Sequence, residues 1–498
     1  MNNTETKSWN YVHAAFKKIW GYEDFRQPQG EIIRSLLAQR DALIIMPTGG
    51  GKSICFQLPA LLQTGLTLVV SPLVALMENQ VQELRDRNLP AALLHSELPP
   101  KWRWQTQKLL ERQQLRLLYL SPETLLSKPV WERLCQPHLK INGLILDEAH
   151  CLVQWGETFR PAYRRLGAVR PALLKSKPPG TKIALAAFTA TASPVQAQII
   201  EQVLQLQQPD VFRQNPYRHN LHLKVQTVWT PRGRLQNLLK FIQAKPGQAG
   251  LVYVRTRHDS SNLAQWLQEL GFATAAYHAG LTPDERRAIE ASWLAGRVPF
   301  VVCTSAFGMG INKSDVRWVL HFHAPLLLSE YVQEIGRAGR DGKQSVALTL
   351  MSEPTGWLDP QDKQRRQFFE EKLRSQYSSA QQLAKKLPVR GEVSEVARQF
   401  PNGAIALALL HSAGFLDWHS PFDYVIHQDV RQQFPAKLHA TGQMAQYLTT
   451  RQCRWQFLLN AFGFSSEAAN LSCGHCDRCT NVNSCSHQFS LHSSPKTV

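Results

Sequence analysis

The sequence predicts an α/β fold of two tandem parallel-sheet domains, followed by a mainly helical C-terminal region with a small cysteine-rich module. Three observations carry this. Residues 42–305 alternate short apolar strands with longer amphipathic segments, the order of parallel α/β sheets. The strands fall into two series, and nearly every one runs straight into a polar or Gly-rich loop, where open parallel sheets bind their ligands. Five of the nine cysteines crowd the last fifty residues.

Length agrees, since 498 residues exceed one ordinary core and point to two or three domains. No run approaches the roughly 20 apolar residues of a membrane span. The opening residues Met1 to Glu5 show no basic stretch leading into an apolar one, so a cytoplasmic or chromosome-associated chain is expected. Lys and Arg total 56 against 38 Asp and Glu, a formal net charge of +18, which favours a polyanionic partner.

The first strand series is expected at residues 42–45, 66–70, 115–120, 143–146 and 183–188. The second is expected at 250–254, 274–277, 300–303, 318–322 and 346–350, with the link between domains around 207–220. The boundaries that follow are a first domain over 1–210 and a second over 211–352. A helical linker spans 353–450, a cysteine module 451–480, and a disordered Ser-, His- and Asn-rich tail 481–498. Within the linker, a helix at 404–416 followed by a hairpin at 417–426 predicts a winged-helix-like insertion.

The first strand leads into Met46-Pro47-Thr48-Gly49-Gly50-Gly51-Lys52-Ser53 and then a helix-compatible segment. Three glycines let backbone N–H groups close around a phosphate, and the helix N-terminus adds its dipole. Thr48, Gly49, Gly50 and Gly51 form the cradle, Lys52 reaches the β- and γ-phosphates, and the Ser53 hydroxyl ligates Mg²⁺. Met46 stands where the strict pattern has Gly. The strand at 143–146 ends in Asp147-Glu148-Ala149-His150. Asp147 is placed to hold Mg²⁺ and Glu148 to orient and deprotonate the attacking water. At the end of the second series, Gln333-Glu334-Ile335-Gly336-Arg337-Ala338-Gly339-Arg340 supplies positive charge for the reacting phosphate. Arg340 is the candidate arginine finger, assisted by Arg337, with Gln333 opening the segment. These residues predict ATP hydrolysis.

Cys473, Cys476 and Cys479 offer three thiolates in a compact loop, and Cys453 a fourth from a preceding helix. Four sulfur ligands suit structural Zn²⁺, with His475 and Cys485 as competing ligands.

Over residues 22–342, and again from Cys453, the chain resembles a superfamily 2 helicase, more narrowly the RecQ family of DNA helicases. The resemblance implies two RecA-like parallel-sheet domains and a zinc module. Phe188-Thr189-Ala190-Thr191-Ala192 looks like the segment coupling hydrolysis to strand movement, and Thr304 opens a stretch similar to the family's fifth motif. Residues 21–29 are similar to its adenine-recognition motif, which implies that Tyr22 and Arg26 sandwich the purine and that the Gln29 amide pairs with its edge. Residues 154–161 resemble the aromatic-rich loop that binds single-stranded DNA through stacking, here with Gln154, Trp155, Phe159 and Arg160. Glu157 departs from the family's His and puts binding strength there in doubt. Ser71, Pro72, Gln80, Arg257 and His278 are further DNA contacts carried over from the family.

The chain departs from the long family form in two ways. An insertion is expected over 388–447, and after Cys479 no room remains for the customary winged helix and terminal helical domain. The expectation is an ATP- and Mg²⁺-dependent DNA helicase, 3′-to-5′ by resemblance, acting in recombination, repair and replication-fork maintenance. It would act as a monomer on single-stranded and forked duplex DNA, with single-strand-binding and recombination proteins as partners. An RNA helicase, and a DNA-binding scaffold with a vestigial motor, are the alternatives. The loop at 154–161 and the cysteines count against the first, and the intact Lys52, Asp147, Glu148 and Arg340 against the second.

Overall fold

The computed structural model describes residues 8–154, 160–307, 313–427 and 439–480. The segments 155–159 and 308–312 lie outside them, and so do the expected contacts Trp155, Glu157 and Phe159, the ligand Cys485 and the tail. The chain divides into two compact units, residues 1–214 with 373–436, and residues 215–372 with 437–498.

The first unit is built on a seven-stranded parallel sheet. In chain order its strands are β1 (Ala42–Ile45), β2 (Leu66–Val70), β3 (Ala91–Leu94), β4 (Leu117–Leu120), β5 (Ile141–Leu146), β6 (Ala184–Thr189) and β7 (Asp210–Arg213). They pair in the order β3-β4-β2-β5-β6-β1-β7. Strands β1 to β6 are buried along their whole length, as sheets covered by helices on both faces require. This is why they read as continuous apolar runs. β7 is half-exposed and sits at the sheet edge, within the segment expected as a link.

The second unit carries a six-stranded parallel sheet. Its strands are β8 (Leu221–Val228), β9 (Gly250–Tyr253), β10 (Thr274–Tyr277), β11 (Phe300–Cys303), β12 (Trp318–His321) and β13 (Ser345–Ser352), in the order β10-β11-β9-β12-β13-β8. All ten expected strands therefore exist, within a few residues of their expected ends. β3, β7 and β8 lie outside both expected series. β8 alternates buried and exposed residues at the sheet edge, so it gives no apolar run to read.

The C-terminal region is mainly helical. A 24-residue helix, Gln361–Ala384, runs from one unit into the other. Beyond it, a small antiparallel sheet of β14 (Arg390–Glu392), β15 (Leu416–Trp418) and β16 (Asp423–Ile426) forms in the order β14-β16-β15. The helices Val393–Gln399 and Gly403–Ser412 lie between β14 and β15 in sequence. Among the described residues no helix is long and apolar enough to cross a membrane.

Candidate ATP-hydrolysing site and cysteine centre

The phosphate loop hangs between β1 and the helix Lys52–Leu62. Gly49 (φ 84°) and Gly51 (φ 78°) adopt the left-handed conformation that side chains resist, which turns the loop into the helix N-terminus. At Gly51 a second constraint applies, because a Cβ there would lie 2.3 Å from Gln29 Nε2. The buried Gln29 amide is locked on this loop: Nε2 donates to Gly50 O at 3.0 Å and Oε1 accepts from Arg26 N at 2.9 Å. Tyr22 and Arg26 are exposed beside it. Lys52 Nζ donates to Met46 O at 3.2 Å, so the ammonium folds back across the loop. Thr48 and Ser53 are half-buried in the same turn.

The acid pair stands two strands away, since β6 lies between β1 and β5. Asp147 is buried and accepts from Glu148 N at 3.0 Å, and Gln80 Nε2 is 3.5 Å from its other oxygen. Burial first, and then the Glu148 charge, push the Asp147 carboxyl up to about 7, against the pull of Lys52. Glu148 has φ 51°, a left-handed conformation costly for a side chain with a Cβ. Its carboxylate lies 3.3 Å from His150 Nδ1, which lies 3.2 Å from Thr189 Oγ1. Thr189 ends β6, its carbonyl accepts from Met46 N at 3.0 Å, and its hydroxyl donates to Thr191 O at 3.1 Å. His150 Nδ1 thus lies near both the Glu148 carboxylate and the Thr189 hydroxyl, and Thr189 in turn bonds the root of the phosphate loop and Thr191.

In the second unit the arginine segment follows the helix Leu328–Ile335. Glu334 anchors that helix through Arg255, at 3.0 and 2.9 Å, and lies 2.9 Å from His321. Burial works against the Glu334 charge, but Arg255 and His321 prevail and hold the carboxyl down to about 2. Arg218 donates to the carbonyls of Gly336 and Gly339, and Asn220 Nδ2 to Gly339 O and Lys343 O, both at 2.8 Å. Arg218, Asn220 and Arg255 are positioning residues that the sequence reading passed over. No motif marks them, although each lies at the start or end of a strand. Arg337 is buried, while Gln333 and Arg340 are half-buried. Burial, then the charges of Arg337 and Arg218, bring Arg340 down to about 10, and it remains cationic at neutral pH.

The expected strand contacts differ in exposure. Ser71, Pro72 and Gln80 are buried, with Gln80 turned toward Asp147. Arg257 is exposed, and it converges with His278 on Gly280, where a Cβ would lie 3.2 Å from His278 Nδ1 and 3.3 Å from Arg257 Nη1. Thr304 is half-buried beyond β11, its N–H bonded to Tyr277 O at 3.1 Å. Gln154 closes the short helix Cys151–Gln154, its side chain outside the described set. Arg160 lies 3.8 Å from Glu123.

Cys453, Cys473, Cys476 and Cys479 bring four Sγ atoms within 4.8 Å of one another. The separations of 3.5 to 4.0 Å between named pairs are far beyond a disulfide bond. Backbone N–H groups of Cys473, Arg454 and Cys476 donate to Sγ of Cys453, Cys476 and Cys473. The set fits tetrahedral Zn²⁺ with no open position. His475 does not join them: among the described residues the ligand atoms that meet are the four cysteine sulfurs, and its ring packs beside His222. Arg454 holds Asp477 at 2.7 and 2.8 Å, and Asp477 accepts from Val225 N at 3.2 Å, which ties the module to β8.

Comparison with known proteins agrees with this arrangement. Residues 26–211 match the DEAD/DEAH box helicase family, 233–342 the helicase conserved C-terminal domain, and 422–480 the RecQ zinc-binding domain. The chain is 54% identical to the ATP-dependent DNA helicase RecQ of Synechocystis sp., over 94% of this chain and 98% of that protein. It is 39% identical to the protein of the same name from Pasteurella multocida, over 70% of this chain and 52% of the relative. In fold it is similar to the solved DEAD-box helicase Mss116 bound to ssRNA and UDP-BeF, with TM-score 0.58, 17% identity, and 69% and 73% of the two chains covered.

Proposed function

We propose how a member of the RecQ family of ATP-dependent DNA helicases, to which this chain belongs, turns ATP hydrolysis into strand movement. The observation that carries the reading is the meeting at His150 Nδ1, 3.3 Å from the Glu148 carboxylate and 3.2 Å from the hydroxyl of Thr189, which itself bonds the root of the phosphate loop and Thr191.

Tyr22 and Arg26 would clasp the adenine, and Gln29 would exchange its bond to Gly50 O for the base, so that nucleotide arrival is felt in the loop. The Thr48–Ser53 turn holds the phosphates, with Lys52 leaving Met46 O for the terminal phosphates. Ser53 and Asp147 would hold Mg²⁺, which supplies charge neutralisation at the terminal phosphates. Glu148 takes the proton of the attacking water, and its strained backbone fixes the carboxylate's direction. Arg340, assisted by Arg337 and Gln333, would supply the positive charge for the reacting phosphate. Gln80 acts on Asp147, 3.5 Å from its carboxylate.

Single-stranded DNA is gripped at the carboxyl ends of the strands, through the segment from Gln154 to Arg160 in the first domain and Arg257, His278 and Thr304 in the second. The two domains alternate their grip and the duplex is separated with 3′-to-5′ polarity, in recombination, repair and fork maintenance on the nucleoid. The protein would work as a monomer alongside single-strand-binding and recombination proteins. The four cysteines would hold structural Zn²⁺.

The small antiparallel sheet with the helices Val393–Gln399 and Gly403–Ser412 is a winged-helix-like insertion that serves the protein instead of the duplex. Its last helix carries no Lys or Arg, residues 406–410 are buried, and it packs on the turn of 3-10 helix Pro161–Ala168. Arg164 donates to Ser412 Oγ at 3.2 Å, Arg165 to Pro421 O at 3.0 Å, and Phe422 packs edge-on against Trp131. A helix so placed has no cationic face for a phosphate backbone.

The test is hydrolysis and binding measured together. Lys52→Ala and Glu148→Gln should abolish DNA-stimulated ATPase while DNA binding persists. Retained stimulated hydrolysis in either variant would overturn the assignment.

A further inference from the structure

The helix Pro100–Glu111 starts just beyond β3, at the edge of the first sheet, and its first turn reads Pro100-Lys101-Trp102-Arg103-Trp104. Trp102 is 51% exposed and Trp104 60% exposed, on a helix whose inner side is well packed through Thr106 and Leu110. An unburied tryptophan gives up the largest apolar surface a side chain can bury, and two within one turn call for an occupant.

The setting says which occupant. Helical side chains lean back toward the helix N-terminus, so each ring leans toward the carboxyl-end face of the sheet, with Trp102 and Trp104 about 200° apart on either side of the helix start. Arg103 pins this turn by donating to Ser96 O at 2.9 Å and Leu98 O at 3.2 Å in the loop that leaves β3. Register places that loop in line with the strand end at Ser71-Pro72, an expected DNA contact, because Leu94 of β3 pairs with Leu120 of β4, and Leu120 with Val70 of β2. Ser121 and Ser71 follow directly. The step from β2 to β3 is roughly 10 Å.

Charge points the same way. Lys101, Trp104 and Lys108 share one helix face, with the Lys108 ammonium 5.8 Å from the Trp104 ring centroid. Glu111, the helix's one acid, is already matched by Lys108 and Arg133 at 3.4 Å each. The opposing charges nearby are Glu97 in the loop and Glu78, which lies 3.7 Å from His95 at the start of that loop. Exposed aromatic rings interleaved with cations make a stacking platform for unpaired bases, which is indifferent to sequence.

We propose that Trp102 and Trp104, with Lys101 and Lys108, form an accessory single-strand DNA site that extends the strand path past the edge of the first sheet. The site rests on the reading that DNA crosses the strand ends of this domain, and it adds length to the bound strand without touching the ATPase. A strand short enough to fill the central path alone does not reach it.

The test compares oligothymidylates of about 8 and about 24 nucleotides, binding the full chain in fluorescence anisotropy and stimulating its ATPase. In Trp102→Ala/Trp104→Ala the affinity for the long strand should fall about 5- to 100-fold, with short-strand affinity and stimulation unchanged. Trp102→Tyr/Trp104→Tyr should recover most of the loss, because a tyrosine ring still stacks. Lys101→Ala/Lys108→Ala should lower the salt dependence of long-strand binding by a slope of roughly 1–1.5. Equal long-strand affinity in the wild type and the Ala pair would overturn the site and leave the rings to a protein surface. Failure of the short strand to stimulate the wild type would instead strike the central path, which makes the two failures separable.

Discussion

Glu148 combines a left-handed backbone with a carboxylate held 3.3 Å from His150. Its removal as Glu148→Gln should cost about 10²–10⁴-fold in stimulated hydrolysis, read in a steady-state ATPase assay with DNA affinity as control. If Arg340 is the arginine finger proposed above, Arg340→Ala should lower kcat by about 10³-fold or more with little change in ATP binding. His411 supplies a pH handle. Burial first, then the Arg164 charge, bring its imidazole down to about 4, with Asp417 pulling the other way. The folded pKa lies below the ordinary 6.5, so this contribution is fully present above pH 6.5. It is lost as pH falls toward 4, because only the unfolded chain takes up the proton. The loss is about 3 kcal/mol at most, and His411→Gln should flatten the acid limb of a urea-unfolding series across that window.

Between neighbouring elements, the insertion's hold on the first domain is the most exposed to test. Phe422→Ala removes the edge-on ring contact with Trp131 and should destabilise the first unit by roughly 1–3 kcal/mol in chemical denaturation. If the module serves the protein, duplex affinity should stay unchanged in that variant. The elements themselves were largely legible in the sequence, because fully buried parallel strands read as apolar runs and each ends at a motif. β8 was not, since its edge position leaves an alternating pattern, and β3 was not, since Ala91-Ala92-Leu93-Leu94 looks equally helical. In the site, the residues with intrinsic chemistry were readable: the glycine loop, the acid pair and the cysteines. Arg218, Asn220 and Arg255 were not, because they act by bonding carbonyls or a partner far away in sequence. The burial of Ser71 and Gln80 was equally hidden, being a property of the packed sheet and not of the local sequence.

For the molecule as a whole, the cysteine centre is a structural load on the second unit, through Arg454, Asp477 and the Trp455 N–H bond to Leu221 O at 3.2 Å. Cys476→Ser should bring bound zinc to near background in metal analysis and lower the unfolding temperature of that unit. The ATPase chemistry would survive only as far as the fold does. A basic chain of net charge +18 with a phosphate loop and an acid pair can hydrolyse ATP on DNA without separating strands, so unwinding is the claim that most needs its own measurement. That measurement is strand separation of duplexes carrying a 3′ or a 5′ single-stranded tail, with ATP and Mg²⁺ present and Glu148→Gln as the control. The account predicts unwinding from the 3′ tail by the wild type and none by the variant. Unwinding from the 5′ tail alone would contradict the polarity, and ATP hydrolysis without strand separation from either tail would contradict the helicase itself.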